Sequence, residues 1–343
     1  MRQFQIYLFF LICGLLLACN NKKTPDISHI KLNIKIERFD QEMGRLQASE
    51  LNIKAPELRK KYTWFYDDYM EKMLSAGTAR DTFYYENLRA VLQNEDYKEL
   101  KTTVEQTFPD LNKQEDELNR AFSYIKYYYP DQKLPRLISF ISGFAVQTPV
   151  GNDYIGIGLD MFLGKNGSKF YPAIRQSVPA YISRRFTPEN ITPRVVEAFI
   201  REEMFPEQDA DQTLLARMIY HGKILYFMDS VIPELNDTLK IGYTGEQMEW
   251  CKINESSIWA YFMENELLFN SDYLEIQKYL AEAPFTPGIG ENSSSAPKLG
   301  IWTGWQIVKK YMEKNPEITL QMLMNEKDPQ KILSASKYKP RDN

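Results

Sequence analysis

The chain has 343 residues, with 42 Lys and Arg against 46 Asp and Glu, two histidines and three cysteines. That mild acidic balance argues against a nucleic-acid partner. A His-Glu-x-x-His metallopeptidase helix is excluded, because it needs two imidazoles one turn apart and here His29 and His221 lie 221 − 29 = 192 positions apart.

The N-terminus reads as an export signal. Arg2 supplies positive charge, and Phe4 to Leu17 is almost entirely apolar, interrupted by Gln5. The run is too short for a comfortable membrane span and sits where a signal h-region belongs. It closes in Leu16-Leu17-Ala18-Cys19, which resembles the lipobox of bacterial lipoproteins. That resemblance implies removal of residues 1–18 and acylation of Cys19, and two or more acyl chains anchor a protein stably. Residues 19–26 then form a polar tether, and residues 27–343 a single domain. Loss of Arg2 makes the mature charge 41 − 46 = −5. Cys13 leaves with the signal and Cys19 carries lipid, so Cys251 is the remaining thiol, expected to be buried, and no internal disulfide is expected. Surface-exported lipoproteins of Bacteroides-like bacteria often carry an acidic cluster after the cysteine. Its absence here places the expected anchor on the periplasmic face of the outer membrane.

Along the domain, alternating apolar residues in 27–39 predict a strand. A helix is expected over 57–74, opened by Pro56, with Trp64, Phe65 and Tyr69 near one face. Further helices are expected over 81–92, 96–107 and 112–129. Two short strands, 137–141 and 154–159, flank a turn at 149–153. Helices follow over 173–182, 192–204, 213–230, 245–254, 257–268, 272–281 and 303–314. Residues 284–297 form a Pro-, Gly- and Ser-rich loop. The predicted class is α+β, mostly α-helical with a small antiparallel sheet.

Walker A and the Gly-x-Ser-x-Gly elbow are absent. Gly156-x-Gly158 lacks the third glycine of a dinucleotide loop, so tight strand packing is the expected use of these glycines. Three segments, Ala198–Phe205, Met218–Ile224 and Pro297–Val308, resemble in their order a group of zinc-peptidase-like proteins. That resemblance implies a zincin-like outline with a degenerate metal site. Arg201 would stand at the first His position, Glu202 at the Glu, Phe205 at the second His, and His221 at the third ligand. The alternative is that Arg201, Glu202 and Glu203 form a solvated helix face. A hydrolase using Glu202, Glu203 and His221 is a further possibility, as is a binding groove at Asp160, Trp302 and Trp305. Core packing is the ordinary use of such tryptophans.

Four longer motifs, Tyr154–Gly164, Met218–Tyr226, Trp302–Val308 and Ser336–Pro340, resemble the gliding-motility lipoprotein family GldB. The resemblance implies a lipid-anchored, non-catalytic envelope component of a Bacteroidota gliding or type IX secretion-associated assembly. It implies envelope protein partners, no cofactor, no metal and no catalytic residues.

Overall fold

The computed structural model describes residues 24–208, 210–290 and 294–341. The signal run and Cys19 lie outside the described residues. Three short strands form one sheet, in the order β1 (Ile36–Arg38), β2 (Arg136–Phe140) and β3 (Tyr154–Gly158). Both pairings are parallel: Leu137 sits between Ile36 and Ile155. The expected antiparallel sheet is therefore corrected, and burial gives the reason. Leu137, Ile141, Ile155 and Ile157 enter one core, while Ile138, Phe140 and Tyr154 enter another. A sheet covered on both faces is the usual setting of parallel strands, and such strands read as unbroken apolar runs.

The turn predicted over 149–153 narrows to residues 152–153, because its first three residues belong to an extended segment that pairs with β3. Residues 147–151 run back antiparallel along the outer edge of β3. Gly151 N–H donates to Tyr154 O at 2.9 Å, and Gly156 and Gly158 N–H donate to Pro149 O and Gln147 O at 2.8 Å each. The glycines serve close packing, as the sequence reading had it. A Cβ on Gly158 would stand 2.3 Å from Val146 O, and one on Gly156 would stand 2.8 Å from the Pro149 ring.

The smaller core is aromatic. Helices α1 (Phe39–Gly44), α2 (Leu51–Asp68) and α3 (Tyr84–Gln93) supply it, together with a π turn at Tyr69–Met73. The Phe39 ring lies 4.9, 5.0 and 4.8 Å from Tyr62, Phe65 and Tyr69. The expected start at Pro56 is corrected, since α2 begins at Leu51 and contains Pro56. Its backbone breaks at Thr63 (φ 47°, ψ −120°), and Trp64 faces solvent while Phe65 and Tyr69 are buried. The strand expected over 27–39 shrinks to Ile36–Arg38, because Phe39 already opens α1.

The larger core takes the remaining longer helices: α4 (Glu95–Thr107), α5 (Asn112–Tyr128), α6 (Ile191–Ala198), α7 (Leu214–Val231), α8 (Gly245–Ile253), α9 (Glu255–Glu264), α10 (Leu299–Lys314), α11 (Leu320–Asn325) and α12 (Pro329–Ser336). The centre is the crossing of α7 and α10, where Gly222 and Gly304 let two backbones touch. A Cβ on Gly222 would meet Gly304 O at 2.4 Å, and one on Gly304 would meet Met218 O at 1.9 Å. Two of the irregular motifs, His221-Gly222 and Thr303-Gly304-Trp305, therefore have a packing explanation. No helix among the described residues is long and apolar enough to cross a membrane.

Candidate functional site: an arginine-rich helix beside a free strand edge

In α6 the apolar residues Ile191, Val195 and Val196, continued by Phe199 and Ile200, are buried. Arg194, Glu197, Ala198 and Arg201, at i, i+3, i+4 and i+7, therefore share the remaining stripe. Past Ala198 the helix widens into a π turn, Phe199–Met204, closed by Phe205 N–H donating to Ile200 O at 2.8 Å. Such widened turns often occur at functional sites.

The side chains of this stripe form a chain of charge-assisted bonds. Arg194 meets Glu197 Oε2 at 2.5 Å, and Arg201 Nε donates to Glu197 Oε1 at 2.9 Å. Arg201 Nη1 then reaches Nδ1 of His221, on α7, at 3.0 Å. Because a guanidinium can only donate, His221 accepts through Nδ1 and is neutral. Burial and the Arg201 charge push its imidazole down to about 3. Burial alone would raise Glu197, but the charges of Arg194, Arg201 and Lys298 overcome it and hold the carboxyl at about 2.

A second layer of cations faces the carbonyl end of the short helix Asp237–Ile241. Arg194 Nη2 donates to Leu239 O at 3.0 Å and Lys240 O at 2.7 Å. Lys298 Nζ donates to Ile241 O at 2.6 Å, and Arg184 Nη2 to Gly242 O at 3.2 Å. Orphan carbonyls at a helix C-terminus favour cations in this way. Glu282 binds both Lys298, at 2.5 Å, and Arg185, at 2.9 Å. Five cations (Arg184, Arg185, Arg194, Arg201, Lys298) thus surround two carboxylates, Glu197 and Glu282, on a chain whose net charge is −4.

Above the first layer lies an open depression of about 350 Å³. The stripe, with Glu202 at its rim, forms one side, and Thr148 and Val150 form the other. In the 147–151 segment, Gln147, Pro149 and Gly151 turn their backbone groups toward β3. By the alternation of an extended strand, the N–H and C=O groups of Thr148 and Val150 point the opposite way, and none of them has a hydrogen-bond partner among the described residues.

The structure brings Arg201 and His221 together and leaves the other expected site residues apart. Glu202 and Glu203 are exposed, and His221 pairs with a guanidinium instead of either. Phe205 packs against Tyr129 and Phe227, each 5.6 Å between ring centres, and its carbonyl accepts from Tyr220 Oη at 3.1 Å. The groove expected at Asp160, Trp302 and Trp305 is corrected, because all three are buried. Trp305 Nε1 donates to Asp229 at 2.8 Å. Asp160 accepts from Ser142 N and Oγ at 3.2 Å and from Phe144 N at 2.6 Å, pinning the loop that carries 147–151. Burial pushes Asp160 up to about 6, against the opposing pull of these N–H donors. Cys251 is a buried free thiol, as expected.

Sequence reasoning missed Arg194 and Glu197, and with them Arg184, Arg185, Glu282 and Lys298. For the first two a signal was available: the spacing Arg194-x-x-Glu197-x-x-x-Arg201 puts opposite charges on one helix face. Glu282 and Lys298 come from distant loops and gave none. Among the described residues, no three His, Cys, Asp or Glu side chains are placed to hold a metal ion.

Comparison with known families decides the affiliation. The model for "Gliding motility protein GldB" matches residues 20–340. The chain belongs to the GldB family. Membership associates it with gliding motility, and the matched region covers both cores and the arginine-rich site. No curated protein and no solved structure matches it.

Proposed function

We propose that this chain is a lipid-anchored, non-catalytic component of a gliding-motility and type IX secretion-associated envelope assembly, acting through protein contacts from the periplasmic face of the outer membrane. The observation that carries the reading is the family match, which starts at residue 20, immediately after Cys19, and runs to residue 340. The zincin-like outline belongs to the same proposal. On that reading Arg201 and His221 stand at ligand positions, and the reading is supported by their place in an Arg194–Glu197–Arg201–His221 network, in which the imidazole lone pair is already taken by a guanidinium.

The test has two arms. In cells, Cys19→Ala is expected to release the protein from the membrane fraction and to abolish gliding. Membrane retention of that variant overturns the anchor, and undiminished gliding after deletion of the whole gene overturns the assembly role. In vitro, the full chain purified in detergent without chelator is expected to carry no stoichiometric metal. About one zinc per chain, together with peptide cleavage, overturns the non-catalytic reading.

A further inference from the structure

The free edge of 147–151 and the charged stripe of α6 face one another across the open depression. A sheet edge with unpaired N–H and C=O groups is a template for another strand, and natural proteins cover or charge such edges unless they use them. Here Thr148 and Val150 are half-buried, and their outward N–H and C=O groups are unpaired among the described residues. The other wall adds a chemical preference. At the floor, two guanidiniums share the carboxylate of Glu197, with Glu202 at the rim, and Arg184, Arg185 and Lys298 stand behind them against Glu282 and Glu246, five cations to four carboxylates. This local positive excess runs against the acidic balance of the whole chain.

We infer that the depression receives an extended segment of a partner protein, which adds as a strand to the 147–151 edge and directs an Asp or Glu side chain at Arg194 and Arg201. Backbone pairing at Thr148 and Val150 gives the register, and the carboxylate gives the selectivity. A side-chain carboxylate fits better than a chain terminus, because alternate residues of an added strand point off the sheet face, and α6 packs over that face against β3. The inference rests on the reading of this chain as one that works through protein contacts, and it names the chemistry of the partner.

The experiment uses fluorescent peptides of about six residues, an ordinary strand length, drawn from a positional library in C-terminally amidated and free-acid forms and titrated against the full chain in detergent. Members with an internal Asp or Glu are expected to bind, and Gln or Asn at that position is expected to weaken binding about tenfold or more. N-methylation of alternate backbone amides is expected to abolish binding in one phase and to be tolerated in the other. On the protein side, Val150→Pro deletes one outward N–H and leaves the inward bonds of Pro149 and Gly151 in place, so it should lose peptide affinity while keeping the helical dichroism of the folded chain. If that variant does not fold, amide exchange in the unaltered chain decides: Thr148 and Val150 must become protected when peptide is added. Binding indifferent to N-methylation, binding that survives Glu→Gln, a preference for a free C-terminal carboxylate, unprotected Thr148 and Val150, or no binding by any library member each overturns the inference. Because membrane retention, gliding and metal content are measured separately, failure of the groove is distinguishable from failure of the proposed function.

Discussion

His221, half-buried, and Asp160, fully buried, are titratable groups that respond to pH in opposite directions. Each answers to the charge that its environment can solvate. His221 faces a guanidinium, so its protonated form is disfavoured and its value falls from 6.5 to about 3. The unfolded chain then binds more protons than the folded one across that window, so this contribution is present above about 6.5 and is lost as pH falls toward 3. Asp160 loses solvent and gains only dipoles, so its value rises from 3.8 to about 6. Its contribution is fully present below 3.8 and is lost as pH rises through about 6. Urea unfolding across pH 3.5–6.5 should therefore separate them. The stability lost in His221→Gln should grow with rising pH, and that lost in Asp160→Asn should shrink; equal slopes for the two variants would refute the assignment. Glu197 gives the sharpest change at fixed pH. Neutralising it leaves Arg194 and Arg201 without their shared carboxylate, and breaking a largely buried pair costs about 3–5 kcal/mol. We expect Glu197→Gln to lose roughly that much at neutral pH by urea titration. Because Glu197 is held at about 2, the ion-pair stabilisation is present above 4.5 and is lost as pH falls through 2.

At the scale of elements, what could be read from the sequence depended on whether a residue's partners were close along the chain. Helices α4, α5, α7 and α8 were legible to within about two residues, because their caps and apolar periods are local; Asn94 and Thr213, for instance, each accept from the backbone at the start of α4 and α7. Strand direction was not legible. Leu137 to Ile141 and Tyr154 to Gly158 look like two arms of a hairpin, and only the burial of both faces, set by helices far along the chain, makes them parallel. The candidate site was half legible. Arg201 and His221 could be singled out as unusual residues, but their partner Glu197 was overlooked, and Glu282 and Lys298 join through loops that no spacing rule connects. The motif glycines were visible as a pattern before their reason was. At the α7–α10 crossing that reason is steric, since a methyl group on Gly304 would fall 1.9 Å from Met218 O. Backbone must move to admit it, and overpacking of this kind costs about 1–3 kcal/mol or more. Gly304→Ala and Gly222→Ala should each lower the thermal midpoint, whereas Gly245→Ala, where an added Cβ meets nothing within 4 Å, should leave it nearly unchanged.

For the whole molecule, the three-stranded sheet is a layer whose residues enter both the aromatic core and the helical core, and α4 packs across from the helical core onto α1 and α3. Successive residues of β2 enter opposite cores: Leu137 packs on the helical side, Ile138 and Phe140 on the aromatic side. An element this thin could either join the cores into one cooperative unit or leave each to unfold alone. The joins favour cooperation. Tyr69 Oη donates to Ile141 O at 2.8 Å, tying the aromatic side to the residue after β2, and Arg136 forks Glu37 of β1 at 2.8 Å through both nitrogens. Asp40, buried beneath the sheet, takes both Arg38 and Ser139. Neither core can open without exposing the far side of a strand that the other core needs buried. Phe140→Ala, on the aromatic side, and Ile155→Ala, on the helical side, should therefore destabilise the same transition, each by about 2–5 kcal/mol. Tryptophan emission reports mainly the larger core, through buried Trp302 and Trp305, while far-ultraviolet dichroism reports helices on both sides. In each variant the two signals should give one coincident midpoint. If Phe140→Ala shifts the dichroism midpoint and leaves the emission midpoint in place, the cores are separate folding units, and the sheet is a seam between them instead of a shared foundation.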